Sequence, residues 1–489
     1  MAGGTWSPTD MPILPGFFLN FKAAALAAIG PGARGVVVVP VKAHWGPVKS
    51  FVEIVSEVDI ANRFTDDESS GATAYTTLRL ALLGGAKKVL AYRIADSSAA
   101  KAFKVLQDTT ATPVDALRIE ALHPGARANA FRLVVQPNLV DSTKKDIKLY
   151  EDTTLLRTFT FASGTVQAAV DAINGDAANQ WITAIKLADG NGTLANQAGA
   201  ILSAGASGIS GIVNADYTAA LSAFETQQFN VLALDGISDP ALQASVVAWV
   251  ARVRNEGKLI QAVLGGSEAD DKASDAVSKA TARSASFNHE GIINVGTGGV
   301  LAGVSYSSAQ TSAYVAGLAA GTPLSSSTTY APSPFSDITR RWSRSEQEQA
   351  TKGGVFLHIH DGRQVKVLKG INSLVTLRAG QNTSFKKIRA ISVMDAINTD
   401  LLQAAEDNYL GKVNNTAEGR LALISAMKAY MLTLAQGGVI EATGYDVMLD
   451  PAYHSTAPTG AALPDQVFLK WTARLTDVME QILGTFIVQ

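Results

Sequence analysis

The sequence predicts a multidomain protein of mixed α/β and α+β class: an α/β core, an inserted β-rich domain of sandwich or barrel type, and extended β-strand arms at both termini. Three observations predict it. β-branched runs alternate with helical runs, a middle stretch consists of short alternating runs, and both ends carry apolar alternating segments. At 489 residues the chain has room for roughly three domains of about 150 residues each.

Residues 1–30 are predicted to form an N-terminal arm. In the stretch "LPGFFLNFKA" apolar side chains recur with the period of two that is typical of a strand. Because a terminal strand needs a partner for its backbone, it pairs either within its own domain or with another molecule, and the pattern leaves both open. The predicted arm residues are Phe17, Phe18, Leu19 and Phe21, and the residues that detach them from the body are Gly30, Pro31 and Gly32.

The first part of the α/β core is predicted at residues 31–95. The β-branched run "RGVVVVPV" indicates a buried strand, ended by Pro40. A helix follows from Thr73 to Leu83, stopped by Gly84 and Gly85. "KKVLAYRI" then indicates the next strand, so the segment is a strand, helix, strand unit.

Residues 96–190 are predicted to form an inserted β-rich domain, because short alternating runs lie there between turn residues. A short helix is expected from Val166 to Ile173. The segment from Gly190 to Gly211 is rich in Gly, Ala and Ser and is interpreted as a loop or linker.

The α/β alternation returns in a middle domain at residues 191–335. Helices are predicted from Tyr217 to Thr226 and from Pro240 to Asn255, with the buried strands "FNVLALD" and "LIQAVLGG" between and after them. Alternating strands and helices of this kind predict a parallel sheet.

A C-terminal domain is predicted at residues 336–489. It begins with an apparent hairpin that turns at Asp361 and Gly362, and two helices follow, the second starting at about Thr416. The last segment, about 476–489, alternates as a strand would and forms a C-terminal arm. Its predicted arm residues are Ile482, Phe486, Ile487 and Val488.

Composition limits the possible partners. Net charge is −2 and charged residues make up only 17%, so neither nucleic acid nor membrane insertion is expected. The segment from Ser336 to Ala390 is locally basic, with eleven Lys and Arg against four Asp and Glu. The chain has no cysteine, which removes disulfides and thiolate chemistry. With no secretion signal and no apolar run long enough for a membrane span, we expect assembly in the cytoplasm.

No catalytic constellation stands out, and neither a cofactor nor a metal site is expected. The Gly-rich stretch "VGTGGVLAG" fails the dinucleotide pattern, because Leu301 stands where the third Gly belongs. His358 and His360 lie two apart on one strand face, but no third ligand has a recognisable spacing. Basic residues around Trp342 are weak indicators of nucleic-acid contact. A structural or interaction protein is therefore favoured over an enzyme.

A set of stretches in a fixed order resembles one known family. These are "PGFFLNFKA", "RGVVVVPVKAHWGP", "LRIEALHPGARANAFRLVV", "SAYVAGLAAGTPLSSSTTY", "RRWSRSEQEQATKGGVFLHIHDGRQVKVLKGINSL", "IRAISVMDAINTDLL" and "NYLGKVNNTAEGRLALISAMKAYM". Together they run through nearly the whole chain, and the chain resembles the sheath proteins of contractile phage tails and related phage-tail-like particles.

The resemblance implies a structural subunit that polymerises as stacked hexameric rings around an inner tail tube and contracts to drive the tube through a target envelope. Both arms would add strands to neighbouring subunits, with Gly30, Pro31 and Gly32 as hinges. The implied partners are further copies of the chain, the inner tube protein, and baseplate and tail terminator proteins. Residues that could face the tube are Arg340, Arg341 and Arg344. The implied location is a virion tail or phage-tail-like particle.

Two other functions stay open on the residues alone. An α/β enzyme that binds a sugar or nucleotide would need a polar pocket near Gly296 to Gly299, with the β-rich domain as a binding appendage. A carbohydrate-binding surface protein would depend on the β-rich domain alone. Polymer formation distinguishes the sheath from both.

Overall fold

The computed structural model describes residues 2–4, 13, 16–18, 29–460 and 462–487. Near the N-terminus, two short strands pair in parallel, with Gly3 opposite Phe17. These strands are β1 (Ala2–Gly4) and β2 (Gly16–Phe18). The strand predicted around Phe17 and Phe18 is therefore present, and its backbone partner lies within the chain.

The first part of the α/β core follows the predicted strand, helix, strand order. Its elements are β3 (Val36–Val41), β4 (Phe51–Ile54), α1 (Glu57–Arg63), a 3₁₀ turn (Ser69–Gly71), α2 (Ala74–Gly84) and β5 (Lys88–Arg93). Helix α2 starts after Thr73 and ends at Gly85, whose φ of 106° is readily adopted only by glycine. The predicted helix is confirmed within one residue.

The β-rich domain consists of two sheets that share a core with one helix. Its elements are β6 (Phe103–Gln107), β7 (Asp115–Ala121), a 3₁₀ turn (Ala126–Ala130), β8 (Phe131–Pro137), β9 (Lys144–Glu151), β10 (Thr154–Ala162), α3 (Val166–Asn174), β11 (Ile182–Lys186) and β12 (Gln197–Ile201). The sheet orders are β10-β9-β8-β12 and β11-β7-β6. Phe131, Leu149 and Ile119 meet in the shared core.

Residues 190–211 were interpreted as a loop or linker, and this was wrong for the middle of the segment. Strand β12 lies there and pairs antiparallel with β8, with Ala200 opposite Leu133. Because the Gly- and Ala-rich sequence of this strand carries little β propensity, its pairing depends on the neighbouring strand rather than on local preference.

The middle of the chain completes a six-stranded sheet. The next elements are α4 (Asn214–Phe224), β13 (Val231–Ala233), α5 (Pro240–Asn255), β14 (Gln261–Gly265), α6 (Glu268–Lys272), α7 (Ala276–Phe287) and β15 (Ile292–Val295). The strand order is β15-β14-β13-β3-β5-β4. Its neighbours are parallel except at β4, which pairs antiparallel with β5. The predicted parallel sheet is confirmed, with this one antiparallel edge.

Short hairpins and helices follow the sheet. They are β16 (Gly299–Leu301), β17 (Val304–Tyr306), α8 (Ser308–Gly321), β18 (Asp337–Ile338), α9 (Arg344–Lys352), β19 (His358–His360), β20 (Val365–Val367) and a 3₁₀ turn (Thr383–Lys386). Strands β19 and β20 pair antiparallel around Gly362, whose φ is 94°, which confirms the predicted turn.

Both faces of the six-stranded sheet are covered. Along β3, Val37 and Val39 pack with α2 and α8, whereas Val38 packs on the opposite face with α4 and α5. This is why the strand is a continuous apolar run rather than an alternating one. The predicted α/β core with an inserted β-rich domain is confirmed.

The C-terminal part contains two long helices, a short helix and a two-stranded sheet. Its elements are α10 (Ile388–Asn408), α11 (Ala417–Gln436), β21 (Asp446–Leu449), α12 (Pro451–His454) and β22 (Leu469–Thr472). The chain divides into two compact units, one of Met1–Gly32 with Ala396–Met479 and the other of Ala33–Asp395 with Glu480–Gln489. Among the described residues, no helix is long and apolar enough to cross a membrane.

Candidate assembly site at the two arms

The C-terminal segment exposes an unusual density of apolar side chains. Residues 476–487 form neither helix nor strand, and every residue from 481 to 487 is exposed. Ile482, Leu483, Phe486 and Ile487 are between 78% and 93% exposed. Four large apolar residues in six positions, all in water, indicate a surface that another molecule covers. Val488, also predicted as an arm residue, lies outside the described part.

Three polar contacts hold Glu480, the residue directly before the exposed stretch 481–487. The carboxylate of Glu480 lies 3.5 Å from the Nζ atoms of both Lys369 and Lys387, and it accepts a 3.0 Å hydrogen bond from the hydroxyl of Thr329. The Glu480 side chain is only 13% exposed, in contrast to the residues on either side of it. Sequence reasoning missed this group, because the three partners lie 93 to 151 positions earlier in the chain.

A two-stranded sheet in the other unit offers open edges. Strands β21 and β22 pair antiparallel, with Val447 opposite Trp471, and nothing else in the described chain joins them in a sheet. Trp471 and Met448 are half exposed. Val447 is buried and β21 packs against α11, so one face of this sheet is covered within the unit while its strand edges stay open.

The predicted hinge has one fixed end. The backbone N–H of Gly32 donates to Oδ1 of Asp400 at 3.1 Å, whereas a Cβ at Gly30 would meet nothing within 4 Å. Of the predicted N-terminal arm residues, Phe17 and Phe18 lie in β2, and Leu19 and Phe21 lie outside the described residues.

The three arginines predicted to face a tube each pair with a nearby carboxylate. Arg340 contacts Glu346 at 2.6 Å, Arg341 contacts Asp337 at 3.0 Å, and Arg344 contacts Glu348 at 3.1 Å. Three positive and three negative charges therefore lie together. The structure groups these arginines around the start of α9 and balances their charge locally.

The Gly-rich loop at 296–299 is filled by side chains. A Cβ at Gly296 would lie 2.3 Å from Val355, and one at Gly299 would lie 2.6 Å from the ring of Phe335. Thr297 is buried and bonds to the backbone of His358 through its hydroxyl. The glycines serve close packing here, and the polar pocket that the enzyme alternative requires does not open at this loop.

A buried polar cluster occupies the crevice where a doubly wound sheet commonly binds ligands, between β3 and β13 at the carboxyl ends of both strands. Asp235 forms an ion pair with Lys42 at 3.2 Å and accepts hydrogen bonds from Tyr217 and Thr73. Burial raises the pKa of Tyr217, so its hydroxyl stays a donor. Side chains of the chain itself therefore fill this crevice, which local sequence patterns did not indicate.

The two histidines of the pair lie in different environments. His358 is fully buried against Tyr314, Phe335 and Phe356, and this burial lowers its pKa to about 4. His360 is only partly buried. Across the residues that the structure describes, no group of three or more His, Cys, Asp or Glu side chains could hold a metal ion.

Comparison with known families decides the interpretation. The phage tail sheath β-sandwich domain matches residues 84–207, the phage tail sheath central domain matches 210–373, and the phage tail sheath C-terminal domain matches 380–489. The chain belongs to the phage tail sheath protein family. Sheath proteins are structural, and the absence of catalysis in this member stays a prediction.

Relatives agree with this assignment. The uncharacterized protein YqbK of Bacillus subtilis is 32% identical over 82% of this chain and 81% of its own length. The crystal structure of a sheath tail protein from Desulfitobacterium hafniense superposes with a TM-score of 0.70 at 29% identity, covering 95% of this chain and 98% of that one. The contracted helical sheath of the anti-feeding prophage shares the fold at a TM-score of 0.54 and 12% identity, over 98% of this chain and 100% of its own.

Proposed function

We propose that this sheath protein polymerises as stacked hexameric rings around an inner tail tube and contracts to drive that tube through a target cell envelope. The observation that carries the proposal is the segment 481–487, which exposes four large apolar side chains while its backbone belongs to no sheet of the described chain. Such a segment is suited to strand addition on a neighbouring subunit.

The receiving surface we propose is the sheet of β21 and β22. It has an unpaired edge on each side within the described chain, and its half-exposed Trp471 and Met448 would be covered by an added strand. Backbone hydrogen bonds would supply the link, and the apolar side chains Phe486 and Ile482 would supply burial. Arms from neighbours would thus extend this two-stranded sheet at its open edges.

Contraction then follows from mechanics. Strand pairing at the arms would persist while the bodies rotate and repack, with the pivot near Gly30 and Pro31. A metastable assembled state supplies the energy, so no nucleotide is required. That a sheath of the same fold exists in a contracted state supports this reading.

The remaining partners are proposed from the family. They are the inner tube protein, which the basic segment 336–390 would face, and the baseplate and tail terminator proteins at the two ends of the sheath. Since Arg340, Arg341 and Arg344 are already paired, a tube contact by them would require exchange of their carboxylate partners. Assembly would take place in the host cytoplasm, into a virion tail or phage-tail-like particle.

Negative-stain electron microscopy of purified protein, alone and with the inner tube protein as template, tests the polymer. We expect tubes or ring stacks from the intact chain and their loss after Ile482→Asp with Phe486→Asp, or after removal of residues 1–30. Leu139→Asp with Val140→Asp is the matched control, because these residues are also almost fully exposed but lie in the β8–β9 turn. Monomers from every sample, with template present, would contradict the proposal.

A further inference from the structure

Glu480 is the last described residue of the chain that docks on its own compact unit. Its side chain is 13% exposed, whereas residues 481–487 are all exposed. Lys369, Lys387 and Thr329, which hold it, come from different segments of that unit. The Thr329 hydroxyl also accepts a hydrogen bond from the N–H of Gly370 at 3.0 Å, so the donor to Glu480 is itself oriented.

We propose that Glu480 is the anchor that fixes where and in which direction the C-terminal arm leaves the subunit. The proposal rests on the proposed function, since it takes residues 481–487 as the arm. A carboxylate held by two ammonium groups and a hydroxyl is a charge-assisted group with several contacts, which restrains both position and orientation. A single contact would leave the chain free to rotate about it.

The anchor would act through preorganisation. A terminal segment without a fixed start samples many directions, and ordering it on a neighbour costs conformational entropy. Fixing Glu480 removes part of that cost before the neighbour arrives and holds Ile482 and Phe486 within reach of one receiving edge. The apolar side chains would then provide the binding free energy, and Glu480 would set the direction of the arm.

Pulsed electron paramagnetic resonance on the full-length protein tests the anchor directly. The chain has no cysteine, so labels at Gly484→Cys and Ser325→Cys report one distance without background. A Cβ at Gly484 meets nothing within 4 Å, and Ser325 is exposed, so both positions accept a label. Both lie in the same compact unit as Glu480.

We expect a narrow distance distribution in the labelled parent protein and about a twofold wider one after Glu480→Gln, as for a chain released from its anchor. Glu256→Gln is the matched control, because Glu256 also forms an ion pair, with Arg252, but directly follows α5. Glu480→Lys should widen the distribution, and adding Lys369→Glu with Lys387→Glu should narrow it again. An equally wide distribution in the parent, or no change after Glu480→Gln, would overturn the proposal.

The same variants separate this inference from the proposed function. If the anchor holds and the protein is a sheath, Glu480→Gln should also reduce the yield of tubes in electron microscopy. If the distance distribution responds as expected but the parent protein never forms tubes, the anchor stands and the sheath proposal fails. A variant with a widened distance distribution could still form tubes in normal yield. That result would show that a fixed arm direction is unnecessary for assembly, and it would overturn the proposed role of Glu480 in assembly.

Discussion

The backbone amide of Gly32 donates a 3.1 Å hydrogen bond to the carboxylate of Asp400, 368 positions away along the chain. The second oxygen of Asp400 accepts a 2.6 Å bond from the buried hydroxyl of Tyr430. Asp400 thus links the end of the predicted hinge to helices α10 and α11. Because Gly32 is held and Gly30 is not crowded, the pivot of the N-terminal arm is expected before Gly32.

Removing the Asp400 carboxylate should loosen this junction. Asp400→Ala takes the acceptor from Gly32 and from Tyr430, and a buried donor that loses its acceptor costs about 1–3 kcal/mol. We expect faster amide hydrogen exchange at residues 30–34 and a lower unfolding midpoint. Asp400→Asn, which keeps an oxygen for Gly32, should change exchange far less; equal effects of both variants would contradict the role of the acceptor.

The Gly296 loop should behave as a packing contact. Gly296→Ala places a methyl group 2.3 Å from Val355, so the variant is expected to lose about 1–3 kcal/mol of unfolding free energy by overpacking. Gly484→Ala is the control, because its Cβ meets nothing within 4 Å. Urea denaturation followed by tryptophan fluorescence measures both. An unchanged midpoint for Gly296→Ala would mean that the loop can open.

Arg93 should be a major source of stability where β5 meets the loops of the β-rich domain. Its fully buried guanidinium donates to the carbonyls of Gly46, Pro124 and Ser207 at 2.6–3.0 Å. Burial lowers its pKa to about 10, so it stays charged near neutral pH.

Replacing Arg93 with Ala leaves these three carbonyls without their donor, and we expect a loss of about 3–5 kcal/mol in urea denaturation. Arg93→Lys should recover only part of the lost unfolding free energy, because one ammonium group cannot reproduce the planar set of donors of the guanidinium. Arg344→Ala, where the side chain is 93% exposed, is the control and should change the midpoint little. Equal midpoints for Arg93→Ala and Arg344→Ala would refute this role.

His358 should make stability depend on pH. Because burial lowers its pKa from 6.5 to about 4, its contribution is fully present above pH 6.5 and is lost as pH falls toward 4. His358→Phe places an aromatic ring in the same aromatic-lined site. It removes the pH-dependent contribution of His358 to the free energy of unfolding. Between pH 6.5 and 4 we expect the parent protein to lose about 1.4 kcal/mol per pH unit relative to the variant. If the unfolding free energies of the parent protein and of His358→Phe change with pH in parallel, the lowered pKa of His358 is contradicted.

Local pattern was sufficient for several individual elements. Helix α5 has the bounds that its Pro start and apolar spacing predicted, α2 begins after Thr73 as expected, and the hairpin turns at Gly362. The ordered stretches were also enough to identify the family. Strand β12 was missed, because its Gly- and Ala-rich sequence has no strand preference without the β8 strand beside it.

The sequence by itself determined the class of the fold, a number of its helices and strands, and the apolar character of the predicted arms, since periodicity and capping are properties of neighbouring residues. The tertiary structure decided which distant groups meet: Glu480 with Lys369 and Lys387, and Gly32 with Asp400. Each of these contacts joins residues that no local propensity connects. Only the folded chain brings them within ion-pairing or hydrogen-bonding distance, and these contacts lie next to the segments predicted as arms.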